Sequence, residues 1–185
     1  MEMNYQQLDD AELLHAALGA MRAERDADAL VLLKSLVDRS PAHAQGQYLL
    51  AAQHAQMGLM DRAEEGFRLA AELAPEFPLA RLQLGQLLLV QGRPEEAAVV
   101  LRAVGGDDPA VRAFAEGLSA LAEGRDDQAL VALRTGLELP QAIPELSADM
   151  RRLVAGISGE VQLEPILAES AASAPMLLSN YSRYN

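Results

Sequence analysis

Few side chains in this sequence are of the types that perform catalysis or bind metal ions. The only imidazoles are those of His15, His43 and His54, and none of them pairs with another at a spacing typical of metal ligands. Because the chain has no cysteine, it has no thiolate nucleophile, disulfide or cysteine metal site. We therefore predict structural or surface roles for the histidines, no metal and no cofactor.

Paired carboxylates can serve as general acid and base, and such pairs occur several times in the chain. They are Glu64-Glu65, Glu95-Glu96, Asp107-Asp108 and Asp126-Asp127. Each pair falls at a predicted turn or helix start, where acidic side chains cap the helix and interact favourably with its dipole. Since no set of nucleophile, base and orienting group can be assembled from these residues, we do not expect an enzyme.

The charge of the chain argues against nucleic acid as a partner. Fifteen basic residues stand against 27 acidic ones, which gives a formal net charge of −12, and the basic residues are scattered singly except for Arg151 and Arg152. A phosphate backbone would be repelled by such a chain, and we interpret the acidity as a solvated face. Only Lys34 is lysine and all other basic residues are arginine, which suggests a GC-rich bacterial coding bias.

No segment of the sequence is typical of targeting to or across a membrane. The first residues lack the basic segment and apolar stretch of a secretory signal, and no apolar run approaches the roughly 20 residues that cross a bilayer. We expect a cytoplasmic protein with no membrane partner.

A repeat of about 34 residues indicates which helices position the histidine and carboxylate side chains described above. Four alanines lie 34, 34 and 32 residues apart: Ala29, Ala63, Ala97 and Ala129. Four prolines follow in nearly the same phase: Pro41, Pro75, Pro109 and Pro140. Three glycines each lie five residues before an alanine of the series: Gly58, Gly92 and Gly124. The spacing predicts pairs of helices that recur along the chain.

The physical properties of these residues assign a role to each position in the repeat. A glycine supplies the left-handed stop that ends a first helix, and an alanine one turn into the second helix lets the two helices cross closely. We expect each second helix to run to its proline, with Pro75 and Pro109 ending helices because proline cannot donate the backbone bond that continuation requires. The sequence predicts an all-α fold.

These features resemble the tetratricopeptide repeat family, whose pattern has a small residue at the eighth position and a large apolar one at the twenty-fourth. The eighth positions are Ala17, Ala51, Gly85 and Gly117, and the twenty-fourth are Leu33, Phe67, Leu101 and Leu133. The resemblance implies a right-handed superhelix, an α-solenoid of antiparallel helix pairs, over residues 1–157. The repeats would be 10–43, 44–77, 78–109 and 110–141, followed by a capping helix at about 143–157 and a tail at 158–185 that could form a short helix and then an extended segment.

The sequence also departs from the family pattern. The aromatic residue of the fourth position is replaced by Leu13, Gln47, Arg81 and Ala113, and the first block has Glu24 where the others have glycine. The fourth block is two residues shorter, so its first helix can be registered from Pro109 or from Gly124. The two registers disagree about which of Phe114, Leu118 and Leu121 face inward.

In the resembled family the first helices line a concave groove that binds peptides. The corresponding residues here are Leu14, Leu18, Met21, Gln45, Tyr48, Ala52, Leu82, Gln86, Leu89, Phe114 and Leu118. None of them is basic, which excludes the family's carboxylate clamp for acidic C-termini. Apolar residues with a few glutamines favour an amphipathic helix or an extended apolar peptide, although each leucine could instead pack against neighbouring helices.

The hypothesis that follows is a protein-interaction adaptor or scaffold that binds an apolar or amphipathic segment of another protein. A narrower version is a chaperone-like escort in a bacterial secretion or assembly system. The alternative is a structural module that forms homo-oligomers, in which the tail occupies its own groove or that of a neighbouring copy. Apolar anchors for that contact would be Met176, Leu177, Leu178, Tyr181 and Tyr184.

Overall fold

A computed structural model describes residues 7–140, 144–160, 162–163 and 165–166. Within these residues it contains nine α-helices and no β-strand. They are α1 (Asp10–Arg22), α2 (Asp26–Arg39), α3 (Ala44–Gln56), α4 (Met60–Leu73), α5 (Pro78–Val90), α6 (Pro94–Arg102), α7 (Pro109–Ala122), α8 (Asp126–Glu138) and α9 (Pro144–Ile157). The chain forms two compact units, Met1–Ala74 with α1 to α4 and Pro75–Asn185 with α5 to α9.

The turn inside each helix pair has the same geometry in all four pairs. These turns lie at residues 23–25, 57–59, 91–93 and 123–125. The middle residue has a positive φ in every case: 55° at Glu24, 73° at Gly58, 71° at Gly92 and 70° at Gly124. The residue after it donates its N–H to the carbonyl five residues back, as from Arg25 to Ala20 at 2.9 Å. The predicted left-handed stop is therefore present, and Glu24 adopts it in spite of its side chain.

Side chains close the N-termini of several first helices. Asp9 accepts a hydrogen bond from the backbone N–H of Glu12 at 2.8 Å, and Glu12 accepts one from the N–H of Asp9, which completes a capping box. His43 Nδ1 accepts from the N–H of Gly46 at 3.0 Å. Asp108 accepts from two N–H groups in the first turn of α7. One histidine and one member of a carboxylate pair therefore act as helix caps.

The prediction that Pro109 ends a second helix is wrong. Helix α4 ends at Leu73, just before Pro75, but α6 ends at Arg102 and Pro109 is the first residue of α7. Proline is well suited to this first position, because its φ is already helical and the N–H that it lacks would have no partner inside the helix. Helix α6, which belongs to the third block, has 9 residues, compared with 14 in α4, so the shortening lies in this helix and not, as expected, in the fourth block.

Close contact between the helices of a pair depends on small residues. All four alanines of the 34-residue series are fully buried. A Cβ added at Gly85 would lie 2.4 Å from Leu101 Cγ, and one added at Gly117 would lie 2.7 Å from Leu133 Cγ. Both contacts join an eighth position to a twenty-fourth. The contact of Gly117 shows that the fourth block is registered from Gly124.

The last described helix, α9, packs against α8. Its buried apolar residues are Leu146, Met150 and Leu153, at the helical spacing predicted for a capping helix. Ile143 and the proposed tail anchors, Met176 to Tyr184, lie outside the described residues.

Candidate partner-binding faces

In the first unit, α1 has two adjacent apolar rows. The row that faces the core is Leu13, Ala17 and Ala20, which are at most 1% exposed. The second row, one residue further along at each step, is Leu14, Leu18 and Met21, and these side chains are half-buried. We call Leu14, Leu18 and Met21 the outer row. Together the two rows form the apolar stripe, about 100° wide, of an amphipathic helix, and the outer row is the margin of that stripe that remains partly exposed.

The residues of α3 predicted to line the groove differ in their burial. Gln45 is half-buried, whereas Tyr48 and Ala52 are fully buried. The ring of Tyr48 packs against Phe67 with ring centroids 5.4 Å apart, and burial raises the pKa of its hydroxyl well above its usual value. In this structure Tyr48 and Ala52 are core residues, so only Gln45 of the three presents surface to a partner.

In the second unit, most of the predicted residues are buried. Leu82 and Gln86 on α5, and Phe114 and Leu118 on α7, are at most 1% exposed, while Leu89 is half-buried. Helix α5 contacts both α6 and α7, which helps to explain why almost every side of it is covered. The partner-accessible part of the predicted set in this unit is therefore Leu89.

Gln83 on α5 lies outside the set of residues predicted from the sequence. Its side chain is fully buried, and neither its amide nitrogen nor its amide oxygen has a hydrogen-bond partner within the described part of the chain. A buried amide without hydrogen-bond partners costs free energy of folding, so the side chain of Gln83 destabilises the core of the second unit. The signal in the sequence was a glutamine between two leucines, Leu82 and Leu84.

Comparison with solved structures identifies the fold. MamA 41-end from Desulfovibrio magneticus RS-1 aligns with a TM-score of 0.60 at 19% identity, over 93% of this chain and 97% of that chain. A crystal structure of MamA protein aligns with a TM-score of 0.57 at 16% identity, over 95% of each chain. The P58(IPK) TPR domain aligns with a TM-score of 0.51 at 24% identity, over 96% of this chain and 56% of that chain. The chain has a tetratricopeptide-repeat fold.

The fold prediction, an all-α solenoid of helix pairs, is confirmed by these likenesses. No protein-family model and no curated protein matches the chain. At identities of 16% to 24% the solved structures establish the architecture, and the partner has to be argued from this chain's own residues.

Three observations bear on the chemistry available to this tetratricopeptide-repeat fold. His54 is buried, and its pKa is lowered first by burial and then by the positive charges of Arg62 and Lys34. Among the residues that the structure describes, no three histidine, aspartate or glutamate side chains gather to hold a metal ion. None of the described helices is both long and apolar enough to cross a bilayer.

Proposed function

We propose that this chain is a protein-interaction adaptor and not an enzyme, and that it binds an apolar or amphipathic segment of a partner protein. The observation that supports the proposal is the outer row of α1, an apolar stripe that remains half-buried beside a complete core row. Partly exposed apolar stripes at helical spacing are the surfaces on which amphipathic helices dock.

The chemistry of this face favours a partner segment that is held by apolar contact. Leu14, Leu18 and Met21 supply its apolar area. The net charge of −12 disfavours an acidic segment. We further propose a chaperone-like role in the cytoplasm of a bacterium, in a secretion or assembly system, which rests on analogy between folds.

The test compares glutamate substitutions inside and outside the outer row. Leu14→Glu and Leu18→Glu each place a charge in the row at a half-buried position, which leaves the core intact. Leu82 is unsuitable because it is fully buried, and a charge there would unfold the second unit. The matched control is Val31→Glu on α2, where an apolar side chain that is 48% exposed lies outside the row.

Each variant is expressed with an affinity tag in its native cells, and the co-purified proteins are quantified by mass spectrometry. The proposal predicts at least one protein that is retained by the wild type and by Val31→Glu and lost from both outer-row variants, all three variants keeping the wild-type helical circular dichroism. If the same proteins are retained by all variants, the outer row is not the binding face. Light scattering over a dilution series detects the alternative, self-assembly, as a mass that falls on dilution.

A further inference from the structure

A polar cavity of about 330 Å³ lies in the second unit, where the end of α6, the middle of α7 and the start of α8 meet. Three arginines line it: Arg102 from α6, Arg112 from α7 and Arg125 from the turn before α8. In a chain with a net charge of −12, whose basic residues are dispersed along the sequence, the fold has gathered three of them around one space.

This cavity is separate from the residues predicted to bind a peptide. On α7, Arg112, Glu116 and Ser119 line the cavity, whereas Phe114 and Leu118 belong to the predicted peptide-binding set. Since the helix has about 3.6 residues per turn, the two sets lie on different faces of α7. A ligand in the cavity would therefore not contact Phe114 or Leu118, which are core residues in this structure.

The three arginines differ in their existing partners. Arg102 and Arg125 both form ion pairs with Glu123. Arg112 has no carboxylate partner among the described residues, and its guanidinium donates only a long hydrogen bond of 3.5 Å to the carbonyl of Gly106. The guanidinium of Arg112 is thus the group with unused donors, whereas the charges of Arg102 and Arg125 are partly neutralised by the Glu123 that they share.

A second, independent observation at this cavity is the hydroxyl of Ser119. Its side chain lines the cavity, the residue is 4% exposed, and its Oγ is buried without a hydrogen-bond partner in the described part of the chain. A helical serine can usually bond the carbonyl one turn back, and a buried hydroxyl left unpaired costs free energy. A rotation about χ1 that turned this hydroxyl into the cavity would let a ligand oxygen satisfy it.

We propose that this cavity binds the oxyanion group of a small molecule, a phosphate or a phosphomonoester, through the guanidinium of Arg112 and the hydroxyl of Ser119. Planar guanidinium groups match the oxygens of such anions, and a hydroxyl donates to the same group. The cavity also has an apolar wall, formed by Leu101, Val104, Ala115 and Ala120. This wall would contact the organic part of a phosphomonoester.

One lining residue, Glu116, would repel a bound anion, and replacing it provides a further test. Glu116 carries a negative charge at the cavity, one helical turn from Arg112. Removing this charge as Glu116→Gln should tighten anion binding several-fold, whereas Arg112→Gln should weaken it about tenfold and Ser119→Ala more modestly. A substitution that acted only by loosening the fold would not produce opposite signs at neighbouring positions.

The experiment is a titration of the full chain, followed through backbone amide chemical shifts in nitrogen-15 spectra, with inorganic phosphate in one arm and phenyl phosphate in the other. The matched control is Arg134→Gln, which removes an exposed arginine of α8 that does not line the cavity. We expect saturable shifts around Arg112 and Ser119, unchanged affinity in the control, and the two opposite changes described above.

The two arms distinguish the two sources of the anion. If phenyl phosphate binds more tightly than inorganic phosphate, the ligand is a phosphomonoester whose organic part contacts the apolar wall. If the two probes bind equally, the ligand is free phosphate. Absence of saturation up to about 20 mM of either probe overturns the proposal, because the dissociation constant would then lie well above the millimolar range. Equal weakening by Arg112→Gln and Arg134→Gln also overturns it, since binding would then reflect overall charge alone.

Discussion

Replacing Gly66 of α4 with alanine tests how closely the paired helices approach each other. The new Cβ would lie 2.8 Å from Ala51 Cβ, 3.3 Å from the carbonyl oxygen of Gln47 and 3.4 Å from Ala51 Cα. These neighbours are backbone atoms or are bonded directly to the backbone, so no side chain can rotate away. Helices α3 and α4 must separate by roughly 0.6 Å to restore an ordinary carbon contact.

The expected cost follows from two opposing effects. Overpacking of this kind costs about 1–3 kcal/mol, and the gain from alanine over glycine within a helix is about 0.5–1 kcal/mol. We therefore predict that Gly66→Ala lowers the free energy of unfolding by about 1–2 kcal/mol. The matched control is Gly19→Ala on α1 of the same unit, where a Cβ would meet no atom within 4 Å, and it should raise stability by about 0.5–1 kcal/mol.

Urea unfolding followed by circular dichroism at 222 nm measures these changes, and a double-mutant cycle locates their cause. Ala51→Gly removes the atom that the new methyl group meets, so the double variant Gly66→Ala, Ala51→Gly should be more stable than the sum of the single changes by about 1 kcal/mol or more. If Gly66→Ala equals or exceeds the wild type in stability, the close approach of these helices is refuted.

Three further changes have expected outcomes that the same unfolding assay checks. Glu24→Gly should stabilise the chain by about 1 kcal/mol, because residue 24 is left-handed with φ 55°; no gain would contradict the strain assigned to this turn. Asp108→Ala should cost about 1 kcal/mol, since it removes the cap of α7, whereas Asp107→Ala, the adjacent exposed control, should have little effect. Because the pKa of His54 is lowered in the folded protein, the folded state binds fewer protons than the unfolded state. The contribution of His54 to stability is therefore complete above pH 6.5, where the side chain is neutral in both states, and it is lost as the pH falls through the folded-state pKa. Between pH 7.5 and pH 5 the wild type should thus lose more stability than His54→Gln, and parallel losses in the two proteins would refute this role.

Much of the fold could be predicted from the sequence because the same turn and the same contact between paired helices recur in several repeats. A left-handed turn favours glycine, and such turns are found at Gly58, Gly92 and Gly124. A close contact with a leucine of the paired helix requires a small residue, and such contacts are found at Leu101 and Leu133. The exception at Pro109 has a physical reason. Proline both stops one helix and starts another, and periodicity alone does not decide between the two roles.

The candidate sites were less predictable because exposure depends on contacts between residues that are distant in sequence. Leu14 and Leu82 occupy equivalent positions of their repeats, yet Leu14 is half-buried and Leu82 is fully buried, since α5 packs against both α6 and α7 whereas α1 packs mainly against α2. The arginines of the polar cavity come from three separate segments, and no spacing along the chain brings them together. Such sites follow from packing and become visible only in three dimensions.

The most direct measurement of the central claim places a photo-crosslinking amino acid at position 18, in the outer row, and in a control protein at position 31 on α2. After irradiation in cells, mass spectrometry identifies what is covalently attached at each position. The adaptor proposal predicts an adduct with a distinct partner protein from position 18 and none from position 31. Adducts with a second copy of this chain would favour self-assembly instead, and identical adducts from the two positions, or none from position 18, would contradict the claim that the outer row binds a partner.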